Sequence, residues 1–340
     1  MAAQRTVRVE ADNGSYDILI GSGLLKEWAM QEPYAVITDR NVLTAHGDAF
    51  PADRYAAVLN PGEESKNMRE LERILNALVD MRLGREGRVV TFGGGVVGDI
   101  GGFAASCYKR GVPFVQVPTT LLAQVDSSVG GKVAVDLEGG KNLAGAFWQP
   151  ELVVIDTDTL ATLPPREVAA GMAEVIKYGY IADRSFHDRL ASGGVPVADM
   201  IETSCRIKAA YVNEDPLDHG IRAQLNYGHT IGHALEAAAG YGHYLHGEAV
   251  GIGMVYAAAL GELLGISPPG LRHDTETLLD RYGLPTDSSR DLLRKAATVI
   301  ANDKKAVGSS VDMIFIEQIG NAVVKRLPIR EISEMMEELI

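Results

Sequence analysis

Two histidines lie four residues apart in Asn226-Tyr227-Gly228-His229-Thr230-Ile231-Gly232-His233. On a helix, His229 and His233 would share one face, with Glu236 at the next turn, an arrangement that suits a metal site or an acid/base pair. The intervening Thr230-Ile231-Gly232 lacks the glutamate that activates zinc-bound water in the HExxH arrangement, which argues against peptidase chemistry. Glu174 shares a helix face with Lys177, and His246 opens another helix in Leu245-His246-Gly247-Glu248. One carboxylate and two imidazoles could bind zinc and leave a position open. The same histidines could also cap helices or fill polar holes.

A second chemical signal follows the strand Arg88 to Phe92. There Gly93-Gly94-Gly95-Val96-Val97-Gly98-Asp99 satisfies GxGxxG where a helix would begin, and glycines at such a place let a pyrophosphate approach backbone amides. A tight strand-to-helix turn without a ligand explains the glycines equally well. The acidic residue expected about 20 positions downstream is missing, whereas Asp39 follows an earlier strand, so the pattern fits a dinucleotide fold in a non-standard arrangement. Lys132, Lys141, Lys177, Lys208, Arg222 and the pair Lys304-Lys305 could gather round an anion, lysine as a point charge and arginine as a fork. Solvated surface charge is the ordinary alternative for each.

These residues need elements to position them. Tyr34 to Thr38, Ala56 to Leu59, Val89 to Phe92, Phe114 to Val117 and Leu152 to Ile155 read as buried strands, and Met68 to Met81 as a helix with Leu71, Ile74, Leu75, Leu78 and Val79 at helical spacing. Such alternation predicts an α/β, Rossmann-like, mostly parallel-sheet domain. After Pro164-Pro165, which suits a helix start, the texture turns Ala- and Leu-rich over 166–181, 199–211, 228–239 and 248–264, predicting a mainly α-helical second domain. The boundary is placed near residue 160, giving domains 1–160 and 161–340, with the ligand site expected between them.

The chain has 340 residues, 46% hydrophobic and 23% charged, with a formal net charge of −13. That charge argues against a nucleic-acid partner and requires any anionic substrate to have a local basic pocket. No apolar run approaches the roughly 20 residues of a membrane span, and no secretory leader is recognisable. Cys107 and Cys205, far apart and outside any CxxC, suggest reduced thiols. The expected location is the cytoplasm.

Taken together, Gly94 to Asp99, Gln116-Val117-Pro118-Thr119-Thr120-Leu121-Leu122, Val125 to Lys132, Gly140-Lys141-Asn142, Ala173-Glu174-Val175-Ile176-Lys177, Leu225 to His233, His246-Gly247-Glu248-Ala249 and Asp303-Lys304-Lys305 resemble the 3-dehydroquinate synthase family, in order from about Gly21 to Lys305. The resemblance implies conversion of 3-deoxy-D-arabino-heptulosonate 7-phosphate to 3-dehydroquinate and phosphate, a lyase step of the shikimate pathway to aromatic amino acids. NAD would oxidise the sugar at C5, phosphate would leave by β-elimination, hydride would return, and an intramolecular aldol step would close the ring.

The same resemblance implies the residue roles. Glu174, His229 and His246 would bind the metal, zinc or alternatively cobalt, and His233 would act near the substrate as a hydrogen-bonding or proton-transfer group. Asp39, Glu63, Lys66, Gly95, Val96, Val97, Gly98, Asp99, Thr119, Thr120, Thr159 and Thr162 would hold NAD, with Lys141 at the cofactor or at the boundary of both ligands. Asp126, Lys132, Asn142, Lys177, Lys208, Arg222, Asn226 and Lys304 or Lys305 would meet the sugar-acid phosphate. Arg110 would reach the phosphate site of a second subunit in a homodimer. One departure is Asp218, standing where the family commonly has glutamate. Sister sugar phosphate cyclases making 2-deoxy-scyllo-inosose or 2-epi-5-epi-valiolone, metal-dependent alcohol or glycerol dehydrogenases, and a silent binding protein on the same fold are the competing expectations.

Overall fold

The computed structural model describes residues 4–11, 14–27, 33–240, 242–301 and 310–340; Lys304 and Lys305 lie outside them. The strands are β1 (Arg5–Val9), β2 (Tyr16–Gly21), β3 (Tyr34–Asp39), β4 (Tyr55–Leu59), β5 (Arg88–Gly93), β6 (Phe114–Pro118), β7 (Lys132–Leu137), β8 (Gly140–Phe147), β9 (Leu152–Asp156), β10 (Ser310–Gln318) and β11 (Asn321–Pro328). The helices are α1 (Leu24–Glu27), α2 (Arg40–His46), α3 (Met68–Asp80), α4 (Gly95–Cys107), α5 (Pro165–Ala182), α6 (Arg184–Ser192), α7 (Val197–Glu214), α8 (His229–Ala239), α9 (His246–Leu263), α10 (Leu271–Arg281), α11 (Arg290–Ala301) and α12 (Ile329–Leu339).

The chain folds into two compact units, one of residues 1–164 and 196–217 and the other of 165–195 and 218–340. The first is built on a seven-stranded sheet of order β1-β2-β9-β6-β5-β3-β4. All neighbours are parallel except β1 and β2. The near-continuous Val/Ile runs of the inner strands follow from burial of both faces, as Val89, Val90, Val115 and Val117 show. Glycines let α4 lie close on its neighbours: a Cβ at Gly101 would come within 2.5 Å of Thr91 Cγ2, and one at Gly102 within 2.5 Å of Val133 Cγ1. Helix α7, although it follows residue 160 in sequence, packs on β1 and β2 and belongs to this unit.

The second unit is helical and carries the antiparallel β10–β11 hairpin. Its core joins Ile231 and Leu235 of α8, Ile252, Tyr256 and Leu260 of α9, Leu293 and Ile300 of α11, and Ile332 and Met336 of α12. Helix α9 is buried along almost its whole length. The hairpins β7–β8 and β10–β11 and the pair β1–β2 were not among the strands read from sequence. Helix α5 begins at Pro165 as expected.

Candidate active site

In the second unit, three helices bring a metal-type donor set together. Glu174 lies on the buried length of α5, while His229 and His246 are the first residues of α8 and α9. One ligand atom from each of Glu174, His229 and His246 falls within 4.8 Å of the other two. The approach depends on small residues. Gly228, at φ +81°, turns the chain into α8, and a Cβ at Gly253 of α9 would stand 2.0 Å from the Gly228 carbonyl oxygen. A Cβ at Gly247, beside His246, would stand 1.9 Å from the Ala170 carbonyl oxygen of α5.

The outer partners orient each ring. His229 Nδ1 lies 3.2 Å from the Tyr227 carbonyl oxygen, which leaves Nε2, 3.6 Å from Glu174 Oε1, facing the carboxylate. His246 Nδ1 lies 3.4 Å from Glu236 Oε2. Partners of this kind fix tautomer and ring orientation in metal sites. Burial, then the nearby Lys177 charge, then His246 and His233 hold His229 well below the ordinary histidine range, so its imidazole is neutral and able to ligate. Both Glu174 carboxylate oxygens are buried without a hydrogen bond among the described residues, although Lys177 Nζ is ion-paired with Oε2. A buried carboxylate so placed, facing a neutral imidazole, fits a divalent cation.

His233 is exposed, and its ring centroid is 5.4 Å from that of His229 and 5.7 Å from that of His246. Lys177 and Arg222 are buried in the same unit and Asn226 is exposed. Asp218 adopts φ +60°, a left-handed conformation that aspartate tolerates better than most residues. One support was missed by the sequence reading. Arg166 donates two hydrogen bonds, of 2.6 and 2.7 Å, to Glu248, fixing the start of α9 beside His246. Glu236 was legible only as a position on the histidine face, because its partner comes from another helix.

In the first unit, the residues expected to hold NAD follow the carboxyl ends of the parallel strands. Asp39 ends β3, Glu63 and Lys66 follow β4, the glycine loop follows β5, Thr119 and Thr120 follow β6, and Thr159 and Thr162 follow β9. Strands β3 and β5 are neighbours, yet β4 intervenes between them in sequence, which makes this the point where strand order reverses and where ligands of open α/β sheets bind. It also explains how an acidic residue can precede the glycine loop in sequence and still stand next to it. Gly94 gives α4 no side-chain cap, so the first-turn amides of Gly95, Val96 and Val97 suit an anion, and a Cβ at Gly95 would reach 3.2 Å from Ser127 Oγ. These features fit a dinucleotide.

Side chains around the loop are interlocked. Lys66 Nζ lies 2.6 Å from Asp99 Oδ2 and 3.6 Å from Glu63 Oε1. Burial lowers the Lys66 pKa, but Asp99 and Glu63 outweigh it and hold the ammonium above the usual lysine range. Asp39 spends Oδ1 on capping α2 through the Asn41 and Val42 amides, and Thr162 Oγ1 lies 2.8 Å from His46 Nε2. Lys208 donates from Nζ to both the carbonyl oxygen and Oδ1 of Asp126, each at 2.7 Å. Lys132, Lys141 and Asn142 sit on the β7–β8 hairpin, and exposed Arg110 follows α4 at φ +70°.

Comparison with known proteins decides the family. The description 3-dehydroquinate synthase N-terminal matches residues 56–170, and 3-dehydroquinate synthase C-terminal matches residues 171–306. The chain belongs to the 3-dehydroquinate synthase family. Members of this family are lyases. The chain is 42% identical over 337 residues to a 3-dehydroquinate synthase of Clostridium botulinum (strain Alaska E43 / Type E3), covering 93% of this chain and 96% of the relative. Its fold is similar to 2-deoxy-scyllo-inosose synthase complexed with carbaglucose-6-phosphate, NAD+ and Co2+, with TM-score 0.84, 26% identity, and coverage of 98% and 99% of the two chains. It is also similar to the 2-epi-5-epi-valiolone synthase of Streptomyces hygroscopicus subsp. jinggangensis 5008 with NAD+ and Zn2+ bound, with TM-score 0.81, 28% identity, and coverage of 98% and 100%.

Proposed function

We infer that the chain carries out the reaction of its family, converting 3-deoxy-D-arabino-heptulosonate 7-phosphate to 3-dehydroquinate and phosphate in the shikimate pathway. The observation that carries this reading is the convergence of Glu174, His229 and His246 within 4.8 Å in a chain that keeps the dinucleotide-type strand ends. The sister cyclases share the fold at 25–28% identity, whereas 3-dehydroquinate synthases reach 43%, which favours the heptulosonate substrate. When bound, NAD would supply hydride-transfer chemistry and zinc or cobalt would supply Lewis-acid polarisation of oxygen.

The protein's own groups do the positioning. Asp39, Glu63, Lys66, Gly95 to Asp99, Thr119, Thr120, Lys141, Thr159 and Thr162 hold the dinucleotide. Glu174, His229 and His246 hold the cation, His246 backed by Glu236. Lys132 and Asn142 take the phosphate, Lys208 and Arg222 the carboxylate, and Asp126, Lys177 and Asn226 the remaining polar groups of the sugar acid. His233 moves a proton through its imidazole nitrogen, and ordered placement of charge supplies much of the rate. Arg110 serves the phosphate site of a second copy in a homodimer. No described helix is long and apolar enough to cross a membrane, and a cytoplasmic location is part of the proposed reading.

The test is to supply the protein with NAD, zinc and the heptulosonate phosphate, following phosphate, 3-dehydroquinate and NADH absorbance together. Equal release of both products without NADH accumulation is expected. Turnover of a different sugar phosphate alone would reassign the chain to a sister cyclase, and net NADH to a dehydrogenase.

A further inference from the structure

The β7–β8 hairpin carries Lys132, Lys141 and Asn142, and its pairing is irregular at one place. Val135 pairs with Ala144, but Leu137 pairs with Gly140, so Lys141, Asn142 and Leu143 all stand opposite the single residue Asp136. Extra residues on one strand break the ladder and re-aim the side chains there. The residues re-aimed in this case include two expected to meet ligands. Within the bulge Asn142 takes φ +57°, a left-handed conformation that asparagine tolerates better than most residues but that its surroundings must still hold.

Asp136 supplies the hold. Its Oδ1 accepts the Asn142 amide at 2.8 Å, a charge-assisted bond and therefore a strong one. On its other side, the Asp136 amide donates to the Lys66 carbonyl oxygen at 2.8 Å, and Asn67 forms an isolated parallel bridge with Asp136. Lys66 is the buried lysine that pairs with Asp99 of α4 and with Glu63. One half-buried aspartate thus ties the bulge to the loop whose lysine reaches the glycine-loop helix.

We propose that Asp136 is a positioning residue that couples the dinucleotide loop to the anion-binding bulge, setting the geometry of Lys141 and Asn142 relative to Lys66 and Asp99. The coupling rests on the functional reading above, in which the bulge meets phosphate and Lys66 meets the cofactor. Asp136 itself touches neither ligand. Its carboxylate acts through Asn142 and its amide through Lys66, so removing the carboxylate loosens the bulge while leaving the β7 backbone bridge in place.

The experiment compares D136A and D136N with the wild type, using calorimetric titration with NAD and steady-state kinetics with the heptulosonate phosphate. D136A should raise the KM for the phosphorylated substrate by about threefold to tenfold, the worth of one hydrogen bond, with a smaller change in kcat. A weaker rise is expected in the Kd for NAD. D136N keeps an oxygen that can accept the Asn142 amide and should return KM to within about twofold of wild type. Should D136A fail to fold, D136S, whose shorter hydroxyl draws the acceptor back, should show the same rise. A purely structural role would lower the active fraction, and with it kcat and the melting temperature, while leaving KM unmoved; that result, or equal damage from D136N and D136A, would overturn the proposal. A wild type that binds NAD but does not turn over the heptulosonate phosphate would instead overturn the functional reading alone.

Discussion

At the scale of single residues, the donor set was partly visible in sequence. The spacing of His229 and His233 puts both on one helix face but does not say which one meets a carboxylate from a distant helix. The fold decides, because Glu174 Oε1 is 3.6 Å from His229 Nε2 while His233 is exposed. Glu236, buried with Oε2 3.4 Å from His246 Nδ1, is placed to orient that ring. Replacing it with alanine should weaken zinc binding by roughly 10- to 100-fold, the usual cost of losing such a partner. Competition against a chromophoric chelator measures this directly, and an unchanged affinity would remove Glu236 from the site. Arg222, almost fully buried, should not tolerate lysine, because a point charge cannot reproduce the two-pronged guanidinium grip on a carboxylate. R222K should raise the KM for the sugar acid by about tenfold or more, near the value of one charge-assisted hydrogen bond; a KM equal to wild type would place the carboxylate elsewhere.

At the scale of elements, the inner parallel strands were legible because burial on both faces writes Val- and Ile-rich runs, as in Val89 to Phe92. The hairpin β7–β8 was not, because β7 carries only the short apolar run Val133 to Val135, and β8 begins at one glycine, holds another at Gly145 and has no fully buried residue. Helix contacts that depend on glycine were equally silent in sequence. Gly247→Ala would set a methyl group 1.9 Å from the Ala170 carbonyl, forcing α5 and α9 apart at His246. Overpacking of this kind costs about 1–3 kcal/mol and more against backbone, so denaturant unfolding should show that loss together with weakened zinc binding. Retention of both would mean that the helices can slide without harm.

A second element-scale contact is sensitive to pH. Buried His187 of α6 lies 2.9 Å from Asp274 of α10 and 3.1 Å from Asp188, and Tyr180 donates to Asp274 at 2.7 Å. Burial lowers the His187 pKa, but the hydrogen bonds to Asp274 and Asp188 outweigh it and raise the value above that of free histidine. Burial raises the Asp274 pKa, yet the bonds from His187 and Tyr180 bring it below the ordinary carboxylate value. A raised histidine stabilises fully below its unfolded pKa of about 6.5 and loses that contribution as pH rises through its folded value. A depressed aspartate stabilises above about 3.9 and loses its contribution as pH falls through its folded value. Stability measured by denaturant should therefore decline on the alkaline side of the histidine titration in the wild type and lack that step in H187Q. Parallel pH profiles for the two proteins would contradict this account.

At the scale of the whole molecule, the boundary near residue 160 rested on Pro164-Pro165 and on a change of texture, and texture cannot say which unit a helix joins. The Ala-rich pattern of α7 is that of any half-buried helix, but its partners are long-range: Arg5 reaches Asp199 at 2.6 Å and Glu202 at 2.8 Å, Glu10 N donates to Asn213 Oδ1, Cys205 Sγ to the Gln124 carbonyl and Lys208 to Asp126. The chain consequently crosses between units after residues 164, 195 and 217, and the first unit cannot be completed by residues 1–164 alone. The partly exposed ion pairs of Arg5 add little, but Met200, Ile201 and Val212 of α7 are buried, each worth about 1.5–3 kcal/mol. Together these approach the whole margin of about 5–15 kcal/mol that holds a domain folded. A fragment of residues 1–164 should therefore unfold without a cooperative transition and expose apolar surface to a reporter dye. A sharp transition with native near-ultraviolet dichroism would show instead that the seven-stranded sheet is self-sufficient and that α7 is only an accessory to it.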